Sequence, residues 1–375
     1  MTDNDSPKKR RLRSGFTTGA CAAAAAKAAC LLLLGEAAVH EVSIPFPDGS
    51  RHGFAVLAGL RLGNDQARAS VIKDAGDDPD VTNGAEIGVR LTLAQGPGPE
   101  PLTVRFEAGE GVGTVTKPGL AVAVAEPAIN PGPRRMIVAA LEEALRQCPA
   151  AGHAPAHGRP LLITVTISIP RGRELAQKTL NERLGIVGGL SILGTTGIVR
   201  PISAEAWTAT ILASMAVARE MGCREIVLST GRTSEKAVQE LLGLPVEAYA
   251  MMGDYLHFSL AAARDFAFQR VHLAGMWAKV LKAAMAIPQT HVRHGALEVE
   301  AAAAFIGRLA GSEALARELS DANTAREIQA RLVAGGRQDL ITGVCAAARR
   351  YAEEIAGRPV TVYLVTSATQ VACHV

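Results

Sequence analysis

The sequence predicts a two-domain chain of mixed class. An N-terminal α+β domain of short strands spans residues 12–150, and a C-terminal α/β domain with a mostly parallel sheet flanked by helices spans 160–375. Three observations predict this. The 375 residues exceed the roughly 100–200 of an ordinary domain. Residues 40–125 read as short strands broken by turns, whereas from 205 onward strands and helices alternate, the rhythm of parallel strands joined by helical crossovers. Between these regimes lies 149–160, with Gly152, Pro155, Gly158 and two histidines, a composition suited to a connector.

The first element follows Leu12-Arg13-Ser14-Gly15-Phe16-Thr17-Thr18-Gly19-Ala20-Cys21 and runs through five alanines, Lys27 and two more alanines. Alanine is the best helix former and loses no side-chain entropy. Thr17 or Thr18 is placed to cap the first turn, and Gly15 and Gly19 open backbone angles closed to other residues. A helix this thin brings backbone close to something, either a ligand at its free N–H groups or a sheet packed on its alanine face. Strands follow at 42–44, 53–60, 68–73, 87–93 and 102–106, then a proline-entered helix at 131–147. An alternating strand at 161–169 opens the second domain, which continues as helix 205–221, strand 225–229, helix 234–242, strand 246–250, helix 256–266, strand 270–274 and helix 277–285. A helical tail at 297–356 and a strand at 360–365 complete it. Ligands of parallel sheets sit at the carboxyl ends of the strands, which singles out Thr230-Gly231-Arg232-Thr233-Ser234, Met251-Met252-Gly253-Asp254 and Gly275-Met276-Trp277.

Composition excludes several function classes. A hydrophobic content of 48% with 20% charged residues is that of a folded soluble protein. The formal net charge of +3 and the 4% aromatic content give neither the basic face nor the stacking platforms of a nucleic-acid protein. Cysteines at 21, 30, 148, 223, 345 and 373 show no metal or disulfide spacing, which fits a reducing cytoplasm. The basic start, with Lys8, Lys9, Arg10, Arg11 and Arg13, runs into glycine and threonine and reads as a tail, not a signal peptide. The four leucines at 31–34 are far short of a membrane span.

Four further segments carry more Gly, Thr and charge than plain loops. Val71-Ile72-Lys73-Asp74-Ala75-Gly76-Asp77-Asp78-Pro79-Asp80-Val81-Thr82 holds four carboxylates within seven positions. Oxygen-rich loops suit hard cations, yet the spacing is not that of an EF-hand and an acidic turn with proline is more often solvated. Gly109-Glu110-Gly111-Val112-Gly113-Thr114-Val115-Thr116-Lys117-Pro118-Gly119 lacks the ending of a P-loop but can offer N–H groups and Lys117 to carboxylates. Glu126-Pro127-Ala128-Ile129-Asn130-Pro131-Gly132-Pro133-Arg134-Arg135 sets two arginines at a helix start, the side chain best matched to carboxylates. The run from Leu180 to Ile198, with Gly185, Gly188, Gly189, Gly194, Thr195, Thr196 and Gly197, departs from the dinucleotide fingerprint and leaves open a backbone approach to an adenosyl group. His291 and His294 are spaced i, i+3 without an evident third ligand, so no zinc site is expected.

Taken together, the segments from Arg13 to Ala29, Lys73 to Thr82, Gly109 to Leu120, Glu126 to Pro131 and Arg183 to Pro201 resemble, in order, those of the cobalt-precorrin-5B C1-methyltransferases of cobalamin biosynthesis. The resemblance covers about residues 12–205. Beyond it, Gly275-Met276-Trp277-Ala278-Lys279 and Thr290-His291 correspond more loosely. Ala278 stands where the family pattern has glycine, and Gly253-Asp254 where it has an Asn-containing turn. The resemblance implies methyl transfer from S-adenosyl-L-methionine to C1 of cobalt-precorrin-5B, giving cobalt-precorrin-6A. It implies a donor side formed by Gly185, Gly188, Gly189, Gly194, Thr195, Thr196 and Gly197 with Gly253 and Asp254 of the C-terminal domain. It implies a tetrapyrrole side drawn from Arg13, Thr17, Thr18, Lys27, Lys73, Lys117, Arg134 and Arg135, with Arg183 and Arg200 as further cations for the substrate carboxylates. Asp74, Lys279 and His291 are the candidate catalytic groups, although an activated sulfonium donor needs alignment more than acid or base. A small-molecule substrate, no nucleic acid, no membrane and no resident metal are expected, with a homo-oligomer left open. The alternatives are a non-catalytic tetrapyrrole- or nucleotide-binding protein and a kinase-like protein, the latter disfavoured by the missing G-K-[ST].

Overall fold

The computed structural model describes residues 12–147, 160–289 and 297–375. The basic tail before Leu12, most of the 149–160 connector, Cys148, His291 and His294 lie outside the described residues. The chain forms two compact units, Met1–Ser203 and Ala204–Val375.

The first unit contains β1 (Gly15–Phe16), α1 (Thr18–Leu33), β2 (Glu41–Pro45), β3 (Arg51–Ala55), β4 (Ala58–Arg61), β5 (Gln66–Ile72), β6 (Glu86–Gln95), β7 (Leu102–Ala108) and β8 (Thr114–Val115). It continues through α2 (Pro131–Gln147), β9 (Leu161–Ser168), α3 (Gly172–Ala176), β10 (Ile186–Val187) and β11 (Ile198–Val199). Five strands form one sheet in the order β4-β5-β6-β9-β7, antiparallel except for the β9–β7 pair. Strand alternation gives it an apolar face of Ala67, Ala69, Val71, Ile87, Val89, Leu91, Ile163, Val165 and Ile167, which packs with α1 and α2 in one core.

Two sequence expectations are corrected here. The single strand expected at 53–60 is two strands, because the chain leaves its hairpin with β2 at Ala55 and joins the edge of β5 at Ala58. The strand expected to open the C-terminal domain, β9, instead sits between β6 and β7, since its alternate apolar residues complete the face that α1 and α2 cover. The domain divide therefore falls between Ser203 and Ala204, not at the 149–160 connector.

The second unit contains α4 (Ala204–Glu220), β12 (Glu225–Ser229), α5 (Arg232–Leu242), β13 (Tyr249–Met251), α6 (Leu256–Asp265), β14 (Arg270–Met276) and α7 (Trp277–Ala284). It ends with α8 (Val299–Ala310), α9 (Glu313–Ser320), α10 (Ala325–Ala334), α11 (Gln338–Ala356), β15 (Val360–Val365) and β16 (Val371–His374). Its sheet runs β13-β12-β14-β15-β16, parallel except for β16, an antiparallel addition to the strand expected last. Val246–Ala248, expected as strand, forms a 3-10 turn after Pro245 and the strand starts at Tyr249. The long helical tail is four helices, two of them capped by Ser312 and Thr324, whose hydroxyls accept from Leu315 N and Glu327 N. Helices cover both faces, as alternation predicts. Ile226, Leu228, Val271, Leu273, Val362 and Leu364 share a core with residues of α4, α6, α7 and α11, whereas Val227, Ala274 and Tyr363 pack with Val238 of α5. Among the described residues, no helix is long and apolar enough to cross a membrane.

Helix α1 is buried on every side, and Thr17 caps it by accepting from Ala20 N at 3.2 Å. Lys27 is the one charge inside. Its Nζ donates to Ser43 O at 2.8 Å and to Glu143 Oε1 at 2.5 Å, and Arg51 holds the same carboxylate at 2.7 and 2.9 Å. Lys27 is therefore a structural cation joining α1, β2 and α2, not a free substrate contact. Arg51 first, with Lys27 adding, pulls the Glu143 carboxyl from its ordinary 4.5 to about 2. The contribution of this cluster is complete above about pH 4.5 and is lost as pH falls toward 2. Glu143→Gln leaves the Lys27 ammonium buried without its counter-ion and is expected to cost about 3–5 kcal/mol. Urea midpoints followed by circular dichroism should show that loss at pH 7 and a shallower acid dependence in the variant; equal midpoints at pH 7 would contradict it.

Candidate functional site

The segments singled out in the first 201 residues assemble into one stitched cluster. β1 pairs with β11, Gly15 opposite Val199 and Phe16 opposite Ile198. Phe16 N donates to Asp74 O at 2.7 Å, Thr17 N to Gly197 O at 2.9 Å and Gly19 N to Leu193 O at 3.1 Å. The Thr18 hydroxyl donates to Leu193 O and accepts from Leu193 N. β8 pairs with β10, and Val112 and Ile129 bridge to Leu190 and Ile192. Backbone hydrogen bonding thus links all five segments.

The close approach that the glycines allow is to the chain itself. Gly194 has φ +122°, and a Cβ there would lie 2.4 Å from the Thr17 side chain. A Cβ on Gly189 would meet Gly111 O at 2.1 Å. Gly185 lies against the Lys117 stem and Gly197 against the Phe46 ring. Of the expected donor loop, only Gly188, Thr195 and Thr196 are exposed.

The acidic loop is likewise engaged internally. Arg13 grips Asp74 with two guanidinium nitrogens at 2.5 and 2.8 Å, and its backbone N–H donates to Asp77 at 2.7 Å. Asp78 accepts from Ile202 N at 2.9 Å. Lys73 is only 1% exposed and its ammonium is bound by Asp80, which also accepts from Thr82 N and Oγ1. The Arg13 hydrogen bond, backed by Gly76 N–H, holds the Asp74 carboxyl below its ordinary range, which makes it a poor proton acceptor near neutrality. Among the described residues no group of three or more His, Cys, Asp or Glu side chains could hold a metal.

The remaining expected cations divide in two. Lys117 donates to Arg183 O at 3.2 Å, while Arg134 donates to Ile129 O at 2.8 Å, meets Glu126 at 3.1 Å and lies over the Phe106 ring. Thr17 and Thr18 are buried in their capping roles. Arg135 and Arg200 are exposed and carry no ion pair among the described residues. A Cβ on Gly132 would meet Gly194 O at 2.7 Å and Thr195 Cα at 3.2 Å, which sets the exposed Thr195 at the first turn of α2, beside Arg135.

In the second unit, the strand order places β13 on one side of β12 and β14 on the other. Beyond the carboxyl ends of β12 and β14 is the topological switch point, where doubly wound sheets hold their ligands. Thr230 and Gly231 follow β12, and a Cβ on Gly231 would meet nothing within 4 Å. The buried Ser229 hydroxyl donates to Glu235 at 3.1 Å, and Ser234 donates to Gly231 O at 2.9 Å. After β13, Gly253 packs under Trp207, whose Nε1 donates to Met252 O at 3.1 Å. Asp254 forms an ion pair with Lys279 of α7, so two expected site residues, one from a loop and one from a helix, are brought together. Beside them Lys282 is buried, and burial, with Lys279 adding, pushes its ammonium below its ordinary value. Directly after β14, the buried indole N–H of Trp277 has no acceptor among the described residues. Sequence reasoning missed Trp207, Trp277 as a donor, and Lys282; a signal existed for the two tryptophans, the only ones in the chain, since Trp277 stands in a singled-out loop.

Comparison with known proteins gives a consistent picture. The family described as CbiD matches residues 5–201, and the one described as CbiD, C-terminal domain, matches residues 289–373. A cobalt-precorrin-5B C(1)-methyltransferase of Desulfotalea psychrophila is 56% identical over 366 residues, covering 97% of this chain and 98% of that protein. One of Geobacter sulfurreducens is 48% identical over 354 residues, covering 92% and 94%. A crystal structure of a cobalamin biosynthesis protein (cbiD) from Archaeoglobus fulgidus is 28% identical, covers 72% of this chain and 79% of that one, and has a TM-score of 0.38.

Two glycine variants test the stitched cluster. Gly188→Ala, at φ +92° with open space around it, should cost only the strain of its backbone, about 1–2 kcal/mol. Gly194→Ala adds overlap with Thr17 and should cost clearly more. Urea midpoints by circular dichroism compare them, and equal losses would contradict the packing described.

Proposed function

The chain belongs to the CbiD family, and on that premise we propose that it is the enzyme that transfers a methyl group to C1 of cobalt-precorrin-5B, giving cobalt-precorrin-6A in corrin-ring synthesis. The observation that carries this reading is 56% identity, over 97% of the chain, to a protein named for that reaction. The reaction needs a methyl donor, and S-adenosyl-L-methionine fits the residues at hand. When bound, it supplies a methyl carbon already activated on a sulfonium, so that a C–C bond to the ring forms as the C–S bond breaks and sulfur keeps the electron pair.

The chain's own task is then to bind, align and exclude water. The donor site is proposed at the switch point of the second unit. Gly231 leaves open space there, Thr230 offers a hydroxyl and the Trp277 N–H lacks an acceptor among the described residues. The half-exposed Trp207 indole over Gly253 suits a cationic ligand, because aromatic rings attract cations. The Asp254–Lys279 pair supplies both a carboxylate and an ammonium for the polar ends of an amino-acid group.

The tetrapyrrole side is proposed on the first unit, with Arg135, Arg200, Thr195 and Gly188 as contacts for part of its carboxylate arms. Arg135 and Arg200 carry no ion pair among the described residues, and arginine matches carboxylates in two-point geometry. Asp74 is held ionised by Arg13, so no proton transfer is assigned to it. The setting consistent with this chemistry is the cytoplasm, with small molecules as the ligands.

Incubation with S-adenosylmethionine carrying a labelled methyl group should transfer label to cobalt-precorrin-5B; binding of both ligands without transfer would point to a carrier instead. Asp254→Asn should weaken S-adenosylhomocysteine binding about tenfold, roughly 1.4 kcal/mol, by titration calorimetry. Unchanged affinity would remove the second unit's switch point as the donor site.

A further inference from the structure

The face of the first sheet opposite α1 and α2 bears a groove of about 540 Å³. Its floor is formed by Ser70, Gly88, Thr166 and Ser168, and Arg68 and Arg90 stand at one end. Those two arginines are directly opposite each other on β5 and β6. Both are exposed, and neither has an ion-pair partner among the described residues. Like charges facing across a ladder destabilise a sheet, and no ion pair of either arginine among the described residues offsets that cost.

A second observation points to a ligand. Ser70, a residue of the groove lining, is 95% buried by its 5% exposure, and its hydroxyl has no hydrogen-bond partner among the described residues. A buried polar group without a partner is rare and costly. Between Ser70 and Ser168, a Cβ on Gly88 would find no atom nearer than 3.7 Å, so the floor is open above it. On the same row as the arginines, Thr166 donates to Glu107 at 3.1 Å, which ties that carboxylate to Thr166 and leaves Arg90 unpaired. Glu86 and Glu110 also line the groove, with Glu86 four positions from Arg90 along β6, so the positive charge is concentrated at one end.

We propose that this groove is a carboxylate-binding site in which Arg68, Arg90 and Ser70 grip acetate or propionate arms of the tetrapyrrole. The assignment rests on the methyltransferase reading for the identity of the ligand, whereas the carboxylate chemistry follows from the groove itself. Paired guanidinium groups with an adjoining hydroxyl are the donor set that a carboxylate satisfies. Glu110 and Gly109 connect the groove to the Gly109–Gly113 loop segment, one of the five stitched segments.

The test uses the full chain and two probes: cobyrinic acid, a corrinoid polycarboxylate, and tricarballylate, which has carboxylates but no macrocycle. Arg68→Gln, Arg90→Gln and Gly88→Val, the last filling the floor without changing charge, should each raise the Kd for cobyrinic acid about tenfold or more. S-adenosylhomocysteine affinity should not change, and the Tm of Arg90→Gln should equal or exceed that of the unsubstituted chain, which a purely structural role would not produce. No binding of cobyrinic acid, binding unchanged in all three variants, or loss confined to tricarballylate would overturn the proposal. Methyl transfer with an unaltered KM for cobalt-precorrin-5B in the variants would sink the groove and leave the enzyme assignment standing. Binding of cobyrinic acid through Arg68 and Arg90 by a chain that transfers no methyl group would do the reverse.

Discussion

The burial of α1, every residue of which but Leu31 is buried, is the constraint on which the first unit depends. A helix of alanines has side chains too small to hold neighbours at a distance, so the sheet, α2 and the Leu193–Gly197 loop segment come to within backbone contact of it. Close packing of this kind leaves no room for an added methyl group. It also leaves no water for Lys27, whose ammonium must find its partners inside the protein. Glu143 and Ser43 provide them, and Arg51 fixes Glu143 in turn. The charge that looks on paper like a ligand contact is a rivet between helices.

The same logic separates scaffold from ligand surface. A buried ammonium or hydroxyl whose hydrogen bonds are filled by the chain has little left to offer a substrate. Lys27, Lys73, Thr17 and Thr18 belong to that group. Arg135, Arg200, Arg68, Arg90 and the Trp277 N–H do not, and the proposed tetrapyrrole and donor surfaces are built on them more than on the glycine motifs. The motifs are rich in glycine because five segments of one chain must approach each other, with Gly194 against Thr17 and Gly189 against Gly111.

Much of this architecture was legible in the residues. Pro131–Gln147, Glu225–Ser229 and Val360–Val365 form over the same residues that the sequence pattern indicates, because helical and strand periodicities are local properties. The strand–helix alternation after residue 204 likewise implies its parallel sheet. What is not local was not legible. β9 carries its own alternation, yet nothing in it says that its partners are β6 and β7, one of them some seventy positions earlier. The fate of a lysine is equally hidden: Lys27 and Arg135 both sit in helices, and only the fold decides that one is buried against Glu143 and the other faces solvent. Arg68 and Arg90 lie in ordinary strands without a motif, so their juxtaposition emerges only from register.

If the glycine-rich segments of the first unit build the scaffold and the proposed donor site is the switch point of the second, amide chemical-shift mapping with S-adenosylhomocysteine should separate the two. Perturbations are expected to centre on Thr230, Gly231, Gly253, Asp254 and the Trp277 indole. Perturbations centred on Gly185, Gly189, Gly194 and Gly197, with that switch point unchanged, would contradict that assignment.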